Sequence, residues 1–327
     1  MATDTLRRET VGARPSPEST AGTPSRRTCA TVQNHFRLLD RYPQFRFNQA
    51  ALEGFTRAAR DAGGRTLRTG PVTVPVVVHV VYRTNEENIS DAQIQSQIDV
   101  LNQDFMATNT DISEVPDPFE DLIGNPQIRF ELAKEDPSGR PTNGITRTQT
   151  DQRSFGVDDA VKASATKGID PWDTKRYLNM WVCTLGSSLL GYAQFPGGPP
   201  ETDGVVILNT AFGTQGTAAA PFDKGRTVTH EIGHYLNLSH IWGESRIPNC
   251  VDTDFVDDTP NQFGPNTGKP SFPRRSCSNS LHGDMFMNYM DYVDDDAMFM
   301  FTQGQVVRMR ATLDQERAEL VSGVLVG

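Results

Sequence analysis

The sequence predicts a globular fold of mixed helices and strands, α/β or α+β. Three observations carry that reading. A β-branched run from Val74 to Tyr82 has the composition of a buried strand. Helix caps stand at Ser90 and Thr302. Short apolar runs lie between them, without internal repeats or heptads.

Each element follows in chain order. Ser90 with Gln93 forms a capping box, and Ile94, Ile98, Leu101 and Phe105 recur at helical spacing, so the first strand leads into a helix. Ile128 to Leu132 and Leu178 to Cys183 read as further strands, Tyr192 to Phe195 as a short one and Gly204 to Leu208 as another. Arg226 to Leu236 reads as a helix, followed by nearly sixty residues rich in Asp, Asn, Pro and Gly. A last helix starts at Thr302 with Gln305 completing its capping box, and runs through Val306, Met309 and Leu313.

Composition narrows the function classes. The 327 residues are enough for about two domains at roughly 150 residues each. With 31 Lys and Arg against 41 Asp and Glu the net charge is −10, the wrong sign for neutralising nucleic-acid phosphates. The longest apolar stretch, Val72 to Tyr82, is interrupted by Pro75 and His79 and is far short of the ~20 residues of a membrane span. Charge is also unevenly placed. Residues 1–70 hold twelve Arg, no Lys and six acids (net +6), and the remainder carries nineteen bases and thirty-five acids (net −16). The basic leader opens with a Pro/Ser/Thr/Gly-rich tract and continues as an amphipathic piece around Phe36, Leu38, Phe45, Leu52 and Phe55. It ends in a Gly63-Gly64 junction near Arg60 to Gly70, which reads as a flexible link.

Chemistry is concentrated at His230-Glu231-Ile232-Gly233-His234-Tyr235-Leu236-Asn237-Leu238-Ser239-His240. On a helix, residues four apart share a face, so His230 and His234 can present imidazoles to one metal ion while Glu231 turns toward a water there. His240 comes six residues after His234, so the chain must bend before it. Asn237 suits the bend, because Asn tolerates the left-handed conformation that ends helices. Three neutral imidazoles and one open position make the donor set of a catalytic zinc.

This motif resembles the extended zinc signature of the metzincin metallopeptidases, in which the residue at Asn237 is usually Gly. Asn288-Tyr289-Met290-Asp291-Tyr292 is similar to the Met-turn segment of that group. With the stretches from Cys250 to Pro260 and from Phe299 to Thr302, the chain looks like a member of the pappalysin family, of the smaller ulilysin and cytophagalysin type, over most of residues 70–315. The resemblance implies an α+β metzincin-like catalytic domain, a twisted mixed sheet with active-site and backing helices, preceded by a pro-segment. The expected division is 1–65 for the leader and 66–327 for the catalytic domain. It further implies a zinc endopeptidase acting on protein or peptide substrates, with Glu231 as general base, Tyr292 as oxyanion stabiliser and Met290 as the apolar floor beneath the zinc histidines. Two other classes compete: an inactive metal-bearing binding or adhesion module, and a zinc hydrolase of small molecules. Intact Glu231 and Tyr292 weigh against the first and the Met-turn against the second.

Cys250 and Cys277 flank the Asp/Pro-rich loop, where a crosslink compensates for the lack of core, and they are expected to pair. A second bridge common in related proteins has no counterpart here, its positions matching Lys269 and Ala297. Cys183 ends an apolar strand and is expected to be a buried free thiol. The carboxylates of Asp252, Asp254, Asp257 and Asp258 with the Thr259 hydroxyl would suit a hard cation, and the resemblance implies structural calcium, for which Asp254, Asp258 and Thr259 are the expected ligands. Cys29 stands alone in the basic leader, and related zymogens place such a thiolate on the zinc; charge attraction between leader and body favours the same arrangement. Among Asp294, Asp295 and Asp296, the spacing from Met290 in ulilysin-type relatives matches Asp295 to the base of the S1′ pocket, implying Arg or Lys on the carboxyl side of the scissile bond. Arg60, Arg65 and Arg68 in the junction would then be self-cleavage sites. A disulfide and calcium point to an oxidising exterior, whereas the first thirty residues show no apolar signal core; secretion is the expectation.

Overall fold

The structure is a computed structural model that describes residues 24–245, 247–278 and 280–322. The opening tract with Arg7, Arg8 and Arg14 lies outside the described residues.

The leader folds as two helices, α1 (Thr31–Arg41) and α2 (Pro43–Asp61). They are separate because Pro43 occupies the first turn of α2, where its missing N–H costs nothing, while continuing α1 through it would cost a hydrogen bond. Then come β1 (Val72–Tyr82), α3 (Asp91–Asp104), the one-turn α4 (Asp117–Glu120), β2 (Ile128–Leu132), β3 (Ile145–Gln149) and β4 (Leu178–Cys183). The short β5 (Gly191–Ala193) and β6 (Val205–Leu208) lead to α5 (Arg226–Tyr235). After a long loop containing the two-residue β7 (Thr267–Gly268) and β8 (Tyr292–Val293), the described chain ends in α6 (Gln303–Asp314) and α7 (Ala318–Ser322).

β1 is the spine of the sheet. Its first half pairs with β2 and its second half with β3, both parallel, while β4 lies parallel on its other side. The order continues through β6 to β5, which is antiparallel and forms the edge. Alternate β1 residues point to opposite faces. Val72, Val74, Val76, Val78 and Val80 meet Ile94 and Ile98 of α3, Ile232 of α5 and Met309 of α6 in the main core. Val81 joins Trp181, Cys183, Val206 and Phe222 in a second cluster. Burial on both faces explains the nearly unbroken apolar run that marks this strand in the sequence. His79 is a satisfied core residue, its ring nitrogens 2.7 Å from Thr146 Oγ1 and 2.9 Å from Asn179 Oδ1.

The capping boxes form as the sequence implies at Thr302, whose hydroxyl accepts from Gln305 N while the Gln305 side chain accepts from Thr302 N. At Ser90 the hydroxyl accepts from Gln93 N, but the Gln93 amide turns away to donate to the carbonyls of Asn209 and Phe212. β3 is absent from the predicted strands because, after the half-buried Ile145, its side chains are polar and carry no apolar alternation; its backbone pairing to β1 defines it.

Candidate active site

α5 is aimed before it begins. Its cap, Gly225, adopts a left-handed conformation, and the buried Asp295 carboxylate accepts hydrogen bonds from Lys224 N (2.8 Å) and Arg226 N (3.2 Å) at the helix start. An anion there also complements the helix dipole. At the other end, Asn237 takes φ +72° and Leu238 N reaches back to Gly233 O (2.9 Å), a left-handed C-terminal cap of the kind expected of Asn. That bend carries His240 back toward the helix.

The structure brings His230, His234, His240 and Cys29 together, one ligand atom from each lying within 4.8 Å of the others. Each histidine is anchored through Nδ1: His230 to Tyr289 O (2.7 Å), His234 to Leu238 O (2.7 Å) and His240 to Glu244 Oε2 (3.2 Å). The Nε2 atoms therefore converge, those of His234 and His240 being 3.1 Å apart, and the buried His230 Nε2 has no hydrogen-bond partner among the described residues. Burial, then the neighbouring His240, holds His234 down to about 3, and burial pushes His230 down as well, so both rings stay neutral. Converging, anchored, neutral imidazole nitrogens fit a zinc ion. The donor set would otherwise leave an orphaned buried nitrogen with no structural purpose.

Met290 lies beneath the helix. A Cβ at Gly233 would stand 2.3 Å from Met290 Sδ, so the helix approaches the Met segment only because residue 233 has no side chain. Tyr292 rings the same space, its centroid 5.0 Å from that of His240 and 5.7 Å from that of His230. Glu231 is buried, and burial raises its carboxyl to about 7.

The leader crosses this site. Cys29 bridges to Gly191 of the edge strand in parallel, with Ala30 N donating to Gly191 O (3.0 Å) and Leu190 N to Thr28 O (3.0 Å). Cys29 Sγ is 3.3 Å from Glu231 Oε2, and Tyr292 Oη donates to Cys29 O at 3.3 Å. Two further leader residues were not picked out by sequence reasoning. The Arg27 guanidinium is buried against Asp295 Oδ1 (2.6 Å), Thr227 Oγ1 (3.0 Å) and Val293 O (3.2 Å). The Thr31 hydroxyl donates to Glu231 Oε2 (2.9 Å) and accepts from Ala193 N (2.7 Å). The signal for both was their distance of two residues from Cys29. Farther along, Glu53 of α2 accepts from Asn237 Nδ2 (2.9 Å) and pairs with Arg308 of α6.

In the loop after α5, Cys250 and Cys277 form a disulfide with Cα atoms 5.7 Å apart, and Cys183 is a buried free thiol. The Thr259 hydroxyl stands 2.8 and 2.9 Å from the two Asp254 carboxylate oxygens and 3.0 Å from Val256 O. Asp258 turns to another task, accepting from Thr302 Oγ1 (2.7 Å) and Gly304 N (2.8 Å) at the start of α6.

A metzincin-type sheet and an elbowed His-Glu-His helix over a buried methionine define a metallopeptidase. Comparisons with known proteins agree. The peptidase family model described as Pregnancy-associated plasma protein-A matches residues 162–314. An extracellular metalloprotease of Arthroderma benhamiae is 32% identical over 267 residues, covering 80% of this chain and 78% of the relative. Extracellular metalloprotease 1 of Coccidioides posadasii is 29% identical over 90% of this chain and 91% of its own length. Among solved structures, a promirolysin mutant of Tannerella forsythia superposes with a TM-score of 0.83 at 48% identity, over 90% of this chain and 97% of that one. Mirolysin in complex with a compound gives 0.74 at 52% identity, over 78% and 97%. The chain belongs to the pappalysin family of zinc metalloendopeptidases. No helix among the described residues is long and apolar enough to cross a membrane.

Proposed function

We propose that this protein is a secreted endopeptidase made latent by its own leader, residues 1–65, and active as the body, residues 66–327. The observation that carries the reading is the convergence of three anchored imidazole nitrogens beside Glu231. His230, His234 and His240 would hold zinc, which supplies a Lewis acid that polarises the scissile carbonyl and acidifies water. Glu231 takes the proton of the attacking water and delivers it to the leaving amine, a role its place beside the converging imidazoles supports. Tyr292 donates its phenol to the developing oxyanion; in the latent form that phenol is engaged by the Cys29 carbonyl. Met290 keeps the floor beneath the histidines dry and rigid.

Latency follows from occupancy. Cys29 lies in the ligand cluster where its thiolate would take the open metal position, and Thr31 engages the carboxylate that must receive the water's proton. Asp295, buried and paired with Arg27, is the base of a pocket that would select Arg or Lys on the carboxyl side of the scissile bond. Arg60, Arg65 and Arg68 then remain candidate sites for release of the leader. Asp254 and Thr259, side by side and hydrogen-bonded to each other, are the calcium ligands proposed, with Asp258 engaged in capping α6. The extracellular names of the relatives and the disulfide favour secretion.

The test is cleavage of denatured protein by the purified chain, with and without a zinc chelator, beside Glu231→Ala and Cys29→Ala. Chelator-sensitive cleavage, absent in Glu231→Ala and present without prior processing in Cys29→Ala, is expected. No chelator-sensitive cleavage by the processed wild type would sink the peptidase reading, and a Cys29→Ala chain as silent as the intact precursor would sink the latency reading.

A further inference from the structure

We infer that Glu244 is the positioning residue of the third metal ligand, His240; the inference rests on the zinc reading above. The three histidines are not held alike. His230 and His234 ride on α5 and give their Nδ1 hydrogens to main-chain carbonyls of Tyr289 and Leu238. His240 lies beyond the helix, on a loop, and its partner is a charged side chain. One oxygen of Glu244 stands 3.2 Å from His240 Nδ1 and the other accepts from His240 N at 3.1 Å. A single carboxylate therefore grips both the ring and the backbone of the ligand residue.

The loop is built to deliver that carboxylate. Gly243 N donates to His240 O (2.8 Å), closing a tight turn, and Gly243 adopts φ +82°. A Cβ on Gly243 would meet the Asp252 carboxylate at 2.3 Å, and that carboxylate accepts from Ser245 N at 2.6 Å, so the turn is fastened from outside. Trp242, inside the turn, stacks on the His240 ring with centroids 4.5 Å apart and planes 7° from parallel. Rotation of the imidazole would break the stack and the Glu244 contact together. A ligand on a helix is positioned by the helix; one on a loop must have its ring fixed by neighbours, and Trp242 with Glu244 does this for His240.

The chemistry differs as well as the geometry. Accepting the Nδ1 hydrogen fixes the tautomer that leaves the Nε2 lone pair facing the other two histidines. A carboxylate does this with a full negative charge, which makes the imidazole a stronger donor than a carbonyl partner can.

The experiment measures zinc affinity rather than turnover. The full-length chain carrying Glu231→Ala, which does not digest itself, is titrated against a chromophoric chelator, with Glu244→Ala and Glu244→Gln added to it. Glu244→Ala should weaken zinc binding about 10- to 100-fold. Glu244→Gln, which keeps an acceptor oxygen but no charge, should fall between, and the visible bands of the cobalt-substituted protein should change in the same order. The Tm of each metal-free variant separates lost folding from lost affinity. Zinc affinity of Glu244→Ala within twofold of its parent overturns the proposal. Should that variant not fold, Glu244→Gln decides alone, and parental affinity there overturns it equally. A parent chain that takes up no stoichiometric zinc would instead refute the metal-site reading on which the proposal stands.

Discussion

Removing the Arg27 side chain should release the leader more effectively than its position outside the metal cluster suggests. Arg27→Ala deletes three hydrogen bonds, to Asp295, Thr227 and Val293, and a guanidinium centred 5.1 Å from the Phe222 ring. The side chains of Arg27 and Asp295 are 1% and 0% exposed, so the substitution strands a carboxylate in the interior. Breaking a buried pair by deleting one partner costs ~3–5 kcal/mol, which is roughly two to nearly four orders of magnitude in leader docking. Asp295 retains its two backbone donors at Lys224 and Arg226, and water can enter the vacated pocket, so the lower figure is expected. The assay is the activity of the unprocessed chain on a fluorogenic peptide, with the appearance of processed chain followed in parallel. Arg27→Ala should show higher residual activity and faster processing, and Arg27→Lys should lie between, since an ammonium cannot fork to three acceptors. In the processed enzyme, Asp295→Asn should abolish a preference for Arg or Lys after the scissile bond while keeping an acceptor for the start of α5. Unchanged latency in Arg27→Ala, or apolar residues preferred at that position by the wild type, would refute the pocket assignment.

Three further outcomes are expected. The His35 ring of α1 packs edge-on to Phe45 and Phe195, its Nδ1 has no hydrogen-bond partner among the described residues, and burial holds it to about 4, with Arg46 assisting and Glu244 opposing. A histidine depressed from 6.5 favours docking above that pH and loses the benefit as pH falls through 6.5 toward 4. At pH 5, discounted for partial exposure, about 1 kcal/mol of docking is lost; intrinsic-rate-corrected hydrogen exchange in α1 of Glu231→Ala should accelerate from pH 7.5 to 5, and equal acceleration in His35→Phe would exclude His35 as the cause. Replacing Cys250 and Cys277 together by Ser should lower stability by ~3 kcal/mol, as expected for the loop they close; a loss under about 1 kcal/mol would mean that the loop is held mainly by its hydrogen bonds. Millimolar calcium should raise the Tm, by ~2.7 kcal/mol of stability at a hundredfold excess over Kd. A Tm that responds equally in Asp254→Asn would move the ion elsewhere.

The helix that carries His230 and His234 was legible because its geometry is local. Four-residue spacing sets His230 and His234 on one face, and Asn237 needs only its own backbone to make the turn that returns His240. β1 and the Thr302 capping box were legible for the same reason, each being written within a dozen consecutive residues. What stayed hidden depends on partners far away in sequence. Arg27 and Asp295 are 268 residues apart, and nothing in either neighbourhood distinguishes a buried pair from two solvated charges. β3, polar after Ile145, is marked as a strand by the hydrogen bonds that β1 offers it. Asp258 looked like its neighbours in a run of acids, and only the position of α6 assigns it to capping.

The same distinction explains how a leader that is released on activation, as proposed above, can still be firmly docked. Its own cores are small: Leu38 and Phe45 close on Phe195, and Ala59 meets Ala311 with Leu67. Much of its remaining hold is polar and borrowed from groups with work to do in the body. Cys29 and Thr31 engage Glu231, Arg27 engages Asp295, Thr28 and Ala30 engage the edge strand, and Glu53 engages Asn237 and Arg308. Among the described residues, the body's main core in turn draws on none from the leader: β1, α3, α5 and α6 pack among themselves. Removing the leader should therefore expose polar donors and acceptors that water or a substrate can satisfy, while leaving the main core intact. A docking surface of that kind can be strong enough for latency and still allow the body to keep its fold after release.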